Sequence, residues 1–310
     1  MTIQSIDDFK SKFNELVEII KTNPELNVIN LKASLADIHL SHDFGSIVAP
    51  HNTRSISKLI LAYCYGIFLE KYNQGFISLD SEISTLNLSS QYLKEKLANV
   101  TIKHLLTNTI GYDRELLFSK DIKACGEHDL IQILLDEELK YPPGNHFVYS
   151  NASSYVLSII FQDITGMNIS VFANQFIFKK IGIDEFEWGN YGSYCKGGTG
   201  LYLNINNLHS IGTLLLNDGR FNSIQIVPKG WIKTMCKPHV HKLNKDYTND
   251  PLGRKAYGFC LWIIDENVVF SNGNQGQFLI VNKEKKIVVS VMSDSRKPIE
   301  IATYLKKIVF

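Results

Sequence analysis

An α+β fold is predicted for this chain: an antiparallel sheet flanked by N- and C-terminal helices, with an all-helical insertion between the two halves of the sheet layer. Three observations predict it. The first part of the chain, to about residue 80, combines a helix-period stretch with a short extended region. From about 81 to 200 the apolar pattern is helical, in short segments joined by polar turns. Beyond about 200 the period changes, and strand-like runs separated by short polar turns carry the signature of an antiparallel meander. The organisation expected is a discontinuous α/β domain, 1–80 with 201–310, and a helical domain, 81–200.

Each element has its own signal. Ile3, Phe9, Phe13, Leu16, Ile19 and Ile20 recur at helical spacing and predict an amphipathic first helix. Val28–Leu40 reads as two short strands, and about Ser55 to Asn73 as a long apolar helix ended by Gly75. In the middle region the helices are Ser90–Leu97, Thr101–Thr107, His128–Glu137 and Ser153–Thr165, the last closed by Gly166 as a C-cap. Asn206–Asn217 is a further helix, stopped by Asp218-Gly219. Strands are expected at Gly258–Ile264, Asn267–Ser271, Gln277–Asn282 and Ile287–Ser293, and a closing helix at Pro298–Val309, with proline in its first turn. The strands before Ser55 are short, which predicts a reduced sheet.

Composition excludes several function classes. The 310 residues carry 32 Lys+Arg against 31 Asp+Glu, a net charge of +1, without a basic block that would mark a dedicated nucleic-acid binder. An apolar content of 45% with 11% aromatics excludes intrinsic disorder. The five cysteines, Cys64, Cys125, Cys195, Cys236 and Cys260, are odd in number and form no CxxC pair, so they read as reduced thiols. Charges at Asp7, Asp8, Lys10, Lys12, Glu15 and Glu18 leave no apolar export signal. The longest uncharged run, Leu59–Leu69, is about half the ~20 residues of a bilayer span. A soluble, cytoplasmic protein is the expectation.

Three motifs carry chemistry. Ser55-Ile56-Ser57-Lys58 places a hydroxyl and an amine one helical turn apart. A serine alcohol needs a base, and lysine serves when burial disfavours its charged form. Lys58 heads the uncharged run. Ser193–Lys196 has the same spacing, but Gly197-Gly198 follows and argues against a helix there. Tyr149-Ser150-Asn151 is the second motif, set between the rigid turn Pro142-Pro143-Gly144-Asn145 and an apolar helix. The same Tyr-x-Asn pattern at Tyr202–Asn204 and Tyr247–Asn249 reads as core packing and as a solvated charged loop. The third motif, Gly273-Asn274-Gln275-Gly276-Gln277, opens a strand with glycines that let backbone approach a ligand; in isolation it reads as a hairpin turn.

In order and spacing these motifs resemble the serine β-lactamase and penicillin-binding-protein superfamily, nearest its class C-like branch of esterases and D-amino-acid peptidases. Thr101–Thr107, Pro143-Gly144, Gly197–Leu201, Leu214–Gly219 and Tyr257-Gly258-Phe259 support the resemblance from about Val28 to Val309. It implies Ser55 as the acylated nucleophile, Lys58 as proton acceptor and Tyr149 as proton relay. It also implies that Asn151 orients the substrate and Lys58, and that an oxyanion hole forms from the backbone N–H groups of Ser55 and Gln277. Asn274, Gln275 and Gly276 would form the substrate-binding edge. Asn274 stands where lysine or histidine is usual, which removes a charge-assisted contact to a carboxylate and favours neutral esters or amides.

The function expected is therefore a serine hydrolase acting through an acyl-enzyme at Ser55 on a small ester or amide. Esterase ranks first, D-amino-acid peptidase or transpeptidase second, β-lactamase third. The alternative is a catalytically silent protein that keeps the fold to bind a ligand or partner. No cofactor is expected, and no metal: His239-Val240-His241 lacks a companion ligand, and Lys237 and Lys242 suggest a solvated loop. His39, His42, His128 and His146 read as surface or satisfied core residues, and Cys64 as packing.

Overall fold

A seven-stranded, wholly antiparallel sheet organises the molecule. Its strands are β1 (Val28–Leu35), β2 (Ile38–Asp43), β3 (Ala256–Tyr257), β4 (Trp262–Ile263), β5 (Val268–Asn272), β6 (Phe278–Asn282) and β7 (Ile287–Ser293). The spatial order is β3-β4-β5-β6-β7-β1-β2, so the N-terminal hairpin completes a C-terminal meander. This computed structural model describes residues 3–45, 49–73, 75, 77–126, 130–243 and 245–310.

Helices α1 (Ile3–Thr22) and α5 (Pro298–Val309) cover one face of the sheet. Phe9, Phe13, Leu16, Val17 and Ile20 of α1 and Ile301, Leu305 and Ile308 of α5 share a core with Leu31, Phe270, Phe278, Ile280 and Val289. Each such side chain contributes roughly 1.5–3 kcal/mol when removed from water. Helix α4 (Ile205–Leu216) lies on the other face, where Leu208, Ile211 and Leu215 join Leu279, Val281, Val288 and Met292. His209 of α4 is buried there between the hydroxyls of Ser290, 3.0 Å away, and Ser34, 2.9 Å away.

Helix α2 (Ser57–Lys71) is buried continuously from Ser57 to Phe68, as an apolar run with no polar stripe requires. Its core is shared with α3 (Ala152–Thr165) and the rest of the helical region, so one cluster joins the sheet's inner face to the middle of the chain. That region is not helical throughout: two-residue strands at Glu187–Trp188, Asn190–Tyr191 and Tyr194–Cys195 precede Leu201–Leu203.

Most expected elements occur within a few residues of their predicted bounds, and Pro298–Val309 matches at both ends. Three further expectations change. The sheet is not reduced, because the first two strands extend to eight and six residues. Gly258–Ile264 is not one strand: Cys260 adopts φ 59° and its N–H bonds Leu106 O at 3.0 Å, turning the chain between β3 and β4. Ser55 lies in a 3-10 turn, Arg54–Ile56, that precedes α2 rather than in the α-helix itself. The expected helix over His128–Glu137 is seen as Ile131–Asp136, and His128 itself lies outside the described residues. No single described helix is long and apolar enough to cross a membrane.

Candidate active site

The 3-10 turn that presents Ser55 is pinned from several sides. A small sheet sets Leu201–Leu203 between His51–Asn52 and Glu187–Trp188. Thr53 bonds Leu201 O through its N–H, at 2.8 Å, and through its hydroxyl, at 2.9 Å. Asn52 Oδ1 accepts the Arg54 N–H at 2.9 Å, and the Ser57 hydroxyl donates to Arg54 O at 2.9 Å. Arg54 itself is held at φ 54°, a conformation a non-glycine residue adopts only under surrounding constraint.

One turn on, Lys58 is fully buried, and its Nζ stands 3.0 Å from Ser55 Oγ, 2.6 Å from Asn151 Oδ1 and 2.9 Å from Gly198 O. Burial lowers its pKa from 10.5 to about 7, against weaker opposing effects of Cys260 and Glu115. Gly198 belongs to the segment after Lys196. A Cβ there would come 3.1 Å from Lys58 Nζ and 2.9 Å from Ser154 Cβ, so the close approach requires glycine.

Tyr149 and Asn151 reach Lys58 from a strapped loop. Asn108, at φ 56°, accepts Val148 N–H on its carbonyl at 3.1 Å and Ser150 N–H on its side-chain oxygen at 3.2 Å. The Ser150 hydroxyl donates to Leu116 O at 3.0 Å, and Asn151 Nδ2 donates to Leu117 O at 2.9 Å. Tyr149 shares the cleft wall with Ser55, and the Lys58 ammonium position lies 5.0 Å from its ring centroid. Desolvation pushes the phenol up to about 12, with the neighbouring Ser55 hydroxyl and the Arg254 charge acting in the opposite sense. Tyr149 is thus a neutral phenol at neutral pH, able to pass a proton.

The third motif forms the turn between β5 and β6, and β5 packs on the 3-10 turn of Ser55. Gly273 N–H bonds Gln277 O at 2.9 Å, and the buried Gln277 amide accepts Gln275 N–H at 3.2 Å and donates to Ser293 O at 2.5 Å. Gly276 sits at φ 84°, with Ser293 Oγ 2.5 Å from where a Cβ would be. Gln275 bonds Arg54 through its side chain. Of the expected substrate-binding set, Asn151 and Asn274 line the cleft; Gln275 and Gly276 shape the turn behind it.

That cleft, about 500 Å³, also holds Ser55, Tyr149, Tyr191, Lys196, Tyr202, Tyr247, Arg254 and Trp262. Two sequence expectations change here. Tyr202, expected in the core, is 37% exposed and lines the cleft, while Asn204 caps α4 by accepting Asn207 N–H at 2.9 Å. Tyr247, expected in a solvated loop, is half-buried against Trp262 and Tyr149, with centroids 5.7 and 6.4 Å away, and bonds Glu115 at 3.1 Å. Arg254 and Trp262 carried no motif signal, because a charged turn and an apolar strand reveal their partners only through tertiary contact. His239 stacks on Phe259 at 4.1 Å and its Nε2 lies 2.9 Å from Thr234 O. Among the described residues no cluster of metal-ligating side chains occurs. Cys64, Cys195 and Cys260 are buried free thiols, and Cys236 is half-buried and free.

Solved structures of similar fold include the penicillin-binding protein from Bacillus halodurans, 17% identical with a TM-score of 0.75, covering 95% of this chain and 99% of that one. EstCE1, a hydrolase with promiscuous acyltransferase activity, is 13% identical with a TM-score of 0.71, covering 98% of each chain. A mutant of the simvastatin synthase LovD from Aspergillus terreus is 14% identical with a TM-score of 0.72, covering 100% of this chain and 97% of that one. At such identities the likeness establishes the fold. The family model Beta-lactamase, however, matches residues 49–309, most of the chain and every residue that lines the cleft. The chain therefore belongs to the Beta-lactamase family and is a serine hydrolase of the β-lactamase-related kind.

Proposed function

We propose that the protein hydrolyses a small ester or amide through an acyl-enzyme on Ser55, with esters favoured, D-amino-acid peptides next and β-lactams third. The observation that carries this reading is the fully buried Lys58 amine, lowered to about 7 and 3.0 Å from the serine oxygen. Near neutral pH about half of such amines are unprotonated and can take the serine proton as Oγ attacks the substrate carbonyl. The backbone N–H of Ser55, which lines the cleft, receives the developing oxyanion, such a donor typically contributing about 3–4 kcal/mol; its expected partner Gln277 is buried behind the third-motif turn and does not line the cleft. Tyr149 passes the proton on to the leaving group and then assists water in deacylation. Asn151 holds Lys58 in place and orients the substrate.

A fluorophosphonate probe tests the nucleophile. Intact-mass spectrometry is expected to show one covalent adduct at Ser55, absent in Ser55→Ala. Labelling that persists in the alanine variant removes the assignment. A folded protein that neither takes the probe nor turns over p-nitrophenyl esters, D-Ala peptides or nitrocefin would instead be a binding protein on this fold.

A further inference from the structure

Tyr149 belongs to no helix or strand; α3 begins only at Ala152. The placement of its phenol therefore rests on the hydrogen bonds of the loop that carries it. That loop is laced to residues 108–111. Tyr141 N–H bonds Gly111 O at 3.0 Å, Gly144 N–H bonds Thr109 O at 2.8 Å, and Val148 N–H bonds Asn108 O at 3.1 Å. The next rung is a side chain instead of backbone: Ser150 N–H donates to Asn108 Oδ1 at 3.2 Å. One residue thus grips the chain immediately before and immediately after Tyr149.

Asn108 is buried, and its φ of 56° is a left-handed conformation that asparagine tolerates better than most side chains. With Oδ1 committed to Ser150, Nδ2 donates to the Tyr257 hydroxyl at 3.2 Å. Tyr257 is itself buried and stands edge-on to Tyr149, the ring centroids 6.1 Å apart. The amide of Asn108 therefore joins the backbone around Tyr149 to an aromatic neighbour of its ring. Asn151 is anchored elsewhere, through its N–H to Leu116 O at 3.2 Å and through Nδ2 to Leu117 O at 2.9 Å. The phenol and the amide of the second motif have separate supports.

Resting on the acyl-enzyme reading, in which Tyr149 assists deacylation, we propose that Asn108 is a positioning residue for that step. It holds the phenol in register with Ser55, while Lys58 keeps its own support through Asn151. In deacylation water adds its oxygen to the acyl carbon, the bond from that carbon to Ser55 Oγ breaks, and the water proton is relayed through Tyr149 to Oγ. Misplacing such a group by about 1 Å costs on the order of 10² in rate. Acylation by activated reagents is spared, because fluoride and p-nitrophenolate depart without a proton.

Asn108→Gly keeps the left-handed backbone and its carbonyl and removes only the side-chain bonds. With p-nitrophenyl acetate its kcat is expected to fall roughly 10- to 100-fold and its KM to fall alongside. The ratio kcat/KM and the fluorophosphonate labelling rate then stay within about threefold of wild type, and acetyl-enzyme builds up in intact-mass spectra. Asn108→Asp is expected to recover most of kcat, because a carboxylate oxygen still accepts from Ser150 and the Tyr257 hydroxyl can turn to donate. A wild-type kcat in folded Asn108→Gly, a parallel fall of kcat and labelling, or an Asn108→Asp no faster than Asn108→Gly overturns the proposal. If wild-type Ser55 takes no fluorophosphonate and no ester is turned over, the acyl-enzyme reading is what has failed. Hydrogen exchange then decides the clamp: amides of Val148 and Ser150 exchanging about tenfold or more faster in Asn108→Gly, with α3 unchanged, uphold it, and equal exchange overturns it. Should Asn108→Gly not fold by circular dichroism, Tyr257→Phe, which removes the acceptor of Nδ2, is read by the same criteria.

Discussion

Labelling of Ser55 by a fluorophosphonate is expected to follow the neutral fraction of Lys58. With the amine lowered to about 7, that fraction is about 10% at pH 6 and about 90% at pH 8. The second-order labelling rate therefore rises close to tenfold between those pH values and levels off above about pH 8. A lysine at its ordinary value would be under about 1% neutral at pH 8, and the rate would climb tenfold per pH unit to beyond pH 9. Rates measured from pH 5 to 9.5 by intact-mass spectrometry separate the two curves. A log-linear rise through pH 9 refutes the buried-amine argument, and a flat profile assigns the proton to another group. Lys58→Ala is expected to slow the same reaction by about 10²–10⁴, the usual cost of losing a general base.

Other outcomes follow from neighbouring contacts. Asn151→Ala strips an acceptor from Lys58 and a donor from Leu117 O, so a loss of about 1–3 kcal/mol in urea unfolding should accompany slower labelling. Gly198→Ala drives a methyl toward Lys58 Nζ; slower labelling, with about 1–3 kcal/mol of lost stability, is expected, and wild-type behaviour in both assays would contradict the packing described. His209 is lowered to about 3 by burial, so the unfolded chain binds its proton below about 6.5 while the folded one does not. Its contribution is complete above that pH and shrinks as pH falls, by about 2–3 kcal/mol at pH 4.5. His209→Gln, compared with wild type by urea midpoints at pH 7.5 and 4.5, should show the smaller drop.

The local spacing of Ser55 and Lys58 and the rigid turn before Tyr149 were legible because each is a short-range feature with a physical signature. The uncharged run after Lys58 also signalled its burial, now seen as a helix enclosed on all sides. What escaped was long-range. The turn at Cys260 is imposed by an acceptor on Leu106, 154 residues away, and nothing in Gly258–Ile264 hints at it. Tyr247 reads as solvated because its neighbours in sequence are charged, while its neighbours in space are Trp262 and Phe147. Arg254 looks like any loop arginine until the sheet lays it across two aromatic faces.

The Asn151 amide cannot be turned around, because its nitrogen is committed to the carbonyl of Leu117. Its oxygen and that of Gly198 therefore confront Lys58 as pure acceptors. When the ammonium loses a proton, the two hydrogens that remain are claimed by those two oxygens. The lone pair is left aimed in the single direction not already taken, at the hydroxyl of Ser55. In the proposed mechanism, deprotonation and orientation of the base are then one event, and no rotamer search separates them.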